Sequence, residues 1–214
     1  DLVVLCAPVQ MLVAHCEQVA SKFPDALITD AGSTKRSLVQ GIESNVSPAR
    51  FVGSHPLAGS DKSGVEHSRA NLFEERTVIV TPTEKTAARD LHETHQFWRA
   101  IGAQTIEMAP DAHDAALAMT SHVPHVVAAA LASATPAKHL PLIAGGWRDT
   151  TRIAAADVEL WRQILQDNRQ HVLNQLKLVR KNIEAFETAL CDDDQDLLVR
   201  LLAEGKQRRD ALGN

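Results

Sequence analysis

His55 ends an apolar run, Arg50-Phe51-Val52-Gly53-Ser54, and leads into Pro56-Leu57-Ala58-Gly59-Ser60-Asp61-Lys62-Ser63-Gly64. Imidazole titrates near neutrality, at about pH 6.5 when unperturbed, so a rigid loop that presents one can supply a general base. The bland alternative is a surface imidazole, one of ten histidines in the chain. A second loop, Asp30-Ala31-Gly32-Ser33-Thr34-Lys35, combines a glycine that allows close backbone approach with hydroxyls that can serve a polar ligand. A third, Ala7-Pro8-Val9, is small and uncharged.

The second half carries two more groups. His122 and His125 flank Pro124 at a spacing that puts both near one helix face, suited to substrate contact or helix capping. Zinc is excluded there for want of a third and fourth ligand. In Gly145-Gly146-Trp147-Arg148-Asp149-Thr150-Thr151-Arg152, a guanidinium could grip a carboxylate through two parallel hydrogen bonds. The same residues could instead be a helix start, with Asp149 or Thr150 as cap and the arginines in solvent. Trp161, taken alone, reads as core.

The elements that must hold these groups differ between the halves. Leu2–Cys6, Ala26–Asp30, Arg50–Ser54, Thr77–Thr81 and Gln104–Met108 are strand-length apolar runs, continuous rather than alternating. Such runs belong to strands covered on both faces, hence to a largely parallel sheet wrapped by helices. In open sheets of this kind ligands bind beyond the carboxyl ends of the strands, where all three loops fall. After Met108 the strand signals stop. Val172, Leu176, Val179, Ile183, Phe186 and Leu190 advance by a mean of 3.6 residues, the helical period. This stripe packs on its own domain or against a second copy of the chain.

Composition limits the partners. The 214 residues carry 27 acidic and 22 basic side chains, a net charge of −5, with no basic run, which disfavours a nucleic-acid surface or a polybasic anchor. No apolar stretch is expected to reach the roughly 20 residues that span a bilayer. Three cysteines at unrelated spacings fit reduced thiols and a cytoplasmic protein.

Taken together, the loops resemble the prephenate and arogenate dehydrogenase family of tyrosine biosynthesis. The resemblance rests on Asp30–Lys35, His55-Pro56-Leu57-Ala58-Gly59, Lys62-Ser63-Gly64, Asn71-Leu72-Phe73, Met119–His125 and Gly145–Ala154 with Trp161, in the family's order over residues 1 to 190. It implies a Rossmann-like α/β domain over residues 1–108, an all-α substrate and dimerisation domain over 109–214, and a homodimer. The implied reaction is an oxidative decarboxylation of prephenate or arogenate with NAD or NADP. His55 would then be the catalytic base and Ser33 would orient the substrate hydroxyl. His125, Arg152, Gly145, Trp161, Ser60 and Asp61 would contact substrate, with Asp61 where many members carry Glu. Ala7, Pro8, Val9 and Ser33 would line the cofactor. The family's glycine-rich turn does not precede these motifs here, so the chain is expected to be an incomplete enzyme, weakly active or inactive alone, whose nucleotide-binding domain starts at the fourth strand. Two other readings stay open: a non-catalytic dimeric ligand-binding module, and a two-domain hydroxyacid dehydrogenase.

Overall fold

The computed structural model describes residues 1–45, 50–59 and 65–213. Five strands form one sheet in the order β1 (Leu2–Leu5), β2 (Leu27–Asp30), β3 (Arg50–Pro56), β4 (Thr77–Thr81), β5 (Gln104–Glu107). Each coincides with an apolar run of the sequence. Neighbours pair in parallel except β3 and β4, which are antiparallel with His55 opposite Ile79. That reversal extends β3 through His55 and Pro56, so the imidazole sits on a hydrogen-bonded strand rather than on a free loop.

Alternation along the strands sends side chains to two cores. On one face Leu5 and Ile28 pack with Leu12 and Cys16 of α1 (Val9–Lys22) and Leu38 and Ile42 of α2 (Arg36–Asn45). On the other, Leu27, Val52, Val78 and Val80 pack with Trp98 of α3 (Ala88–Ala100). Both faces are therefore covered, as the continuous runs require. Gly53 marks the tightest approach: a Cβ there would lie 2.4 Å from Thr81 Oγ1 on the antiparallel neighbour.

Beyond β5 the chain is helical. α4 (Pro110–Leu117) passes through a π-helical turn, Ala118–His122, into α5 (Val123–Ala134). A π turn carries one extra residue and re-aims the side chains that follow. The whole run, Pro110–Ala134, is long and apolar enough to cross a membrane. This corrects the expectation that no stretch reaches that length. Its apolarity comes largely from alanine and is spread over three joined elements. It nonetheless buries His113, Asp114, His122 and His125, three of them hydrogen-bonded inside the protein, as core helices do.

α6 (Gly145–Thr151), a 3-10 turn (Arg152–Ala155), α7 (Val158–Asp167), α8 (Arg169–Cys191) and α9 (Gln195–Asp210) follow. Asp157 caps α7, accepting from the Leu160 amide at 2.7 Å, and Asp194 caps α9, accepting from Leu197 at 2.8 Å. The chain divides into two compact units, Asp1–Val172 and Leu173–Asn214. Met108 lies inside the first. Within the second, Leu178, Ile183, Leu190, Val199 and Leu202 are exposed.

Candidate active site

One buried carboxylate holds the two most suggestive loops in place. Asp30, at the end of β2, accepts from the Gly32 amide (2.8 Å), from the Ser54 amide (3.0 Å) and from the Lys35 ammonium. Its carbonyl accepts from Ser54 Oγ at 2.5 Å, and that hydroxyl in turn accepts from the Trp98 indole at 3.0 Å. The loop bearing Ser33 is thus tied to the strand bearing His55. Gly32 is required at the turn, because a Cβ would stand 2.8 Å from Leu12 and 2.9 Å from the Asp30 carboxylate. Lys35 and Asp30 are both fully buried, and burial pushes the Lys35 pKa down against the pull of Asp30.

From β3 a chain of hydrogen bonds runs into the helical part. His55 Nδ1 lies 2.9 Å from His113 Nε2, and His113 Nδ1 lies 2.7 Å from Asp114 Oδ1. The same carboxylate accepts from the Lys35 amide at 2.8 Å and the Arg36 amide at 3.0 Å, at the N-terminus of α2, where the helix dipole favours negative charge. Burial works against the Asp114 charge, but the hydrogen bonds from His113, Arg36 and Lys35 outweigh it and lower its pKa. The His55 pKa is held well below the usual histidine value, first by burial and then by Lys35, His113 and His122. At neutral pH His55 is uncharged and able to accept a proton.

His122 and His125 both turn toward Trp161. The His125 ring stacks on the indole and the His122 ring meets it edge-on. Asn168 donates to the Asp114 carbonyl at 2.7 Å and, through the same amide, to His122 Nδ1 at 3.1 Å. Burial pushes His122 down to about 4 and lowers His125. His125 is buried, and its Nδ1 has no hydrogen-bond partner among the described residues.

These groups converge on a cleft of about 830 Å³ whose lining includes Ser33, His55, His125, Arg152 and Trp161. That volume suits a small-molecule ligand. Five of the residues singled out in the sequence are therefore brought together. Gly145 lies exposed on α6, outside this lining, and Ala7, Pro8 and Val9 lie at the β1–α1 junction, also outside it. Ser60 and Asp61 fall outside the described residues. Trp161 lines the cleft instead of the core. Asp149 and Thr150 do not cap α6, whose N-cap is Ala144.

Sequence reasoning missed Arg69 and His67 on the cleft wall, and His113, Asp114 and Asn168 behind it. Arg69 stands two residues before Asn71-Leu72-Phe73, a motif that flagged the neighbourhood. His113 and Asp114 gave no signal, because adjacent residues on a helix do not face each other as an obvious pair.

Fold and cleft define a class: a parallel-dominated α/β domain continuing into helices, with an uncharged imidazole facing a pocket that also holds arginines. Comparison with known proteins narrows it. Residues 1–107 match the family model for the nucleotide-binding domain of prephenate dehydrogenase, and residues 109–204 match that for its dimerization domain. The chain belongs to the prephenate dehydrogenase family. It is 36% identical over 220 residues to prephenate dehydrogenase of Bacillus subtilis, covering 98% of this chain but 59% of that protein. It is 35% identical to cyclohexadienyl dehydrogenase of Zymomonas mobilis, covering 99% of this chain and 75% of the relative. Prephenate dehydrogenase from A. aeolicus, solved with hydroxyphenyl propionate and NAD+, superposes with a TM-score of 0.91 at 34% identity, covering 99% of this chain and 76% of that one. The chain thus spans about three fifths of the length of the first of these relatives.

Proposed function

We propose that the protein carrying this chain oxidatively decarboxylates prephenate, or its amino counterpart arogenate, in tyrosine biosynthesis, and works as a homodimer. The observation that carries this reading is the uncharged His55 facing the same cleft as Ser33, His125 and Arg152. Its family membership supports the choice of substrate.

Each residue then has a task. His55 accepts the proton of the ring hydroxyl as that carbon becomes a carbonyl. Ser33 hydrogen-bonds the same hydroxyl and fixes its direction. Arg152 pairs with the side-chain carboxylate in two parallel bonds. His125, on the cleft lining, partners the neighbouring carbonyl or amine, while Trp161 holds that imidazole flat. Ala7, Pro8 and Val9, small and without charge, fit the nicotinamide end of a dinucleotide, and α1 starts there with no side chain capping its first amides. When bound, NAD or NADP supplies the acceptor for the hydride. Carbon dioxide leaves as the ring becomes aromatic, which makes the reaction effectively irreversible. Gly145, Ser60 and Asp61 belong to the substrate surround in this reading. Residues 1–108 act as the nucleotide-binding part and 109–214 as the substrate and dimerisation part, with the exposed apolar positions of α8 and α9 meeting a second copy.

The test is direct. The full-length protein, given NAD or NADP with prephenate or arogenate, should form reduced cofactor together with carbon dioxide. No reduced cofactor with either substrate, and no binding of either in calorimetry, would end the proposal.

A further inference from the structure

Behind the base lies a second buried imidazole that the reaction as written does not use. His113 is fully buried on α4, and both its ring nitrogens are engaged, one by His55 and one by Asp114. A purely structural histidine needs only to be satisfied. This one joins the base to a carboxylate that is itself pinned by two backbone amides.

The proton inventory of this chain has one self-consistent arrangement at neutral pH. Ionised Asp114 only accepts, so His113 carries its hydrogen on Nδ1 and presents a lone pair at Nε2. Facing that lone pair, His55 carries its hydrogen on Nδ1. The lone pair of His55 is then on Nε2, the nitrogen directed away from His113.

We propose that His113 is a positioning residue for His55: it fixes the reactive tautomer of the base and provides a second, buried seat for the proton taken from the substrate. The proposal rests on the dehydrogenase reading given above. In the step, the substrate O–H bond breaks and its proton goes to His55 Nε2. The Nδ1 proton of His55 passes to His113 Nε2, and the positive charge settles between His55 and Asp114. One proton leaves the substrate and one is gained by the pair; no electrons move along it. The charged and titratable groups facing the pair are Lys35 from the loop before α2, His122 from the π turn and Asp114 from α4. Of these only Asp114 favours a cation. Moving the charge one ring deeper therefore brings it from a position near the Lys35 ammonium to one 2.7 Å from a carboxylate.

Two substitutions separate the roles, made in the full-length protein. His113→Asn keeps a donor for Asp114 and loses the acceptor for His55. His113→Gln places an amide oxygen within reach of His55 Nδ1 but cannot hold a proton. His113→Asn should lower kcat at least tenfold with KM within threefold. His113→Gln should recover part of kcat, while the acid limb of its kcat/KM profile moves to lower pH by about half a unit or more, because the deeper proton seat is gone. Wild-type kcat in both variants overturns the proposal. So does a parallel loss of kcat and melting temperature in both with an unmoved acid limb, the mark of a structural role alone. Nitrogen NMR of the histidine-labelled protein reads the tautomer without turnover, and so tests the proposal even if neither substrate is oxidised. His55 protonated at Nδ1 in the wild type and mixed in His113→Asn supports it; His55 protonated at Nε2 overturns it.

Discussion

The His125 imidazole lies flat on the Trp161 indole, ring centroids 3.6 Å apart and planes 12° from parallel. The two lie 36 positions apart in sequence, with helix and 3-10 turn between them, and α5 and α7 bring them to one wall of the cleft. The stack fixes the ring of a histidine whose Nδ1 is otherwise unheld. Trp161→Leu should therefore raise KM about tenfold, consistent with an aromatic contact of about 1 kcal/mol plus lost orientation, and leave kcat within threefold. Steady-state kinetics of the full-length protein checks this; an unchanged KM would remove the stack from binding.

Arg152 starts a 3-10 turn on the cleft wall and is exposed, so replacing it costs little packing. Arg152→Gln should raise KM on the order of 100-fold, the worth of about 3 kcal/mol in charge-assisted hydrogen bonds, with melting temperature unchanged. A KM close to wild type would place the carboxylate elsewhere, and Arg69, on the same lining, would be the next residue to replace.

The buried histidines make stability depend on pH in a known direction. His122 titrates at about 4 in the folded protein, against about 6.5 when unfolded. Between those values the unfolded chain binds more protons, so unfolding free energy rises with pH across that window and levels above it. Full protonation costs about 3 kcal/mol at this residue. Urea titrations from pH 4 to 7 should show that rise, reduced in His122→Asn; an identical slope in the variant would contradict the assignment.

Cys16 is buried against the sheet, and burial together with Asp30 pushes its thiol up to about 12. Cys6 and Cys191 are exposed, and burial raises the Cys6 thiol as well. A thiol reagent at pH 8 should modify Cys191 first and Cys16 only after denaturation, because the thiolate is the reacting form. Early labelling of Cys16, read by peptide mass, would contradict this.

Much of this architecture was legible because it follows from periodicity. The run Thr77–Thr81 needed only to be apolar and continuous to be read as a strand, and α8 follows from the helical spacing of Val172 to Leu190. The cleft residues His55, Ser33, His125 and Arg152 were legible through motif order, which carries function that local propensity does not. What escaped depends on distant geometry. Nothing near His113 announces a partner 58 residues away on β3, and nothing in Ala118–His122 announces the π turn that aims two histidines at one tryptophan. The reversal of β4 was equally hidden, since strand direction is set by connection and packing rather than by composition.

The central claim is that His55 is the base. His55→Asn in the full-length protein keeps a hydrogen-bonding side chain of similar reach and removes the proton acceptor. Single-turnover formation of reduced cofactor should fall by about 10² to 10⁴, with the dissociation constant for substrate within a few fold of wild type. Turnover at the wild-type rate would contradict the account, whatever the substrate.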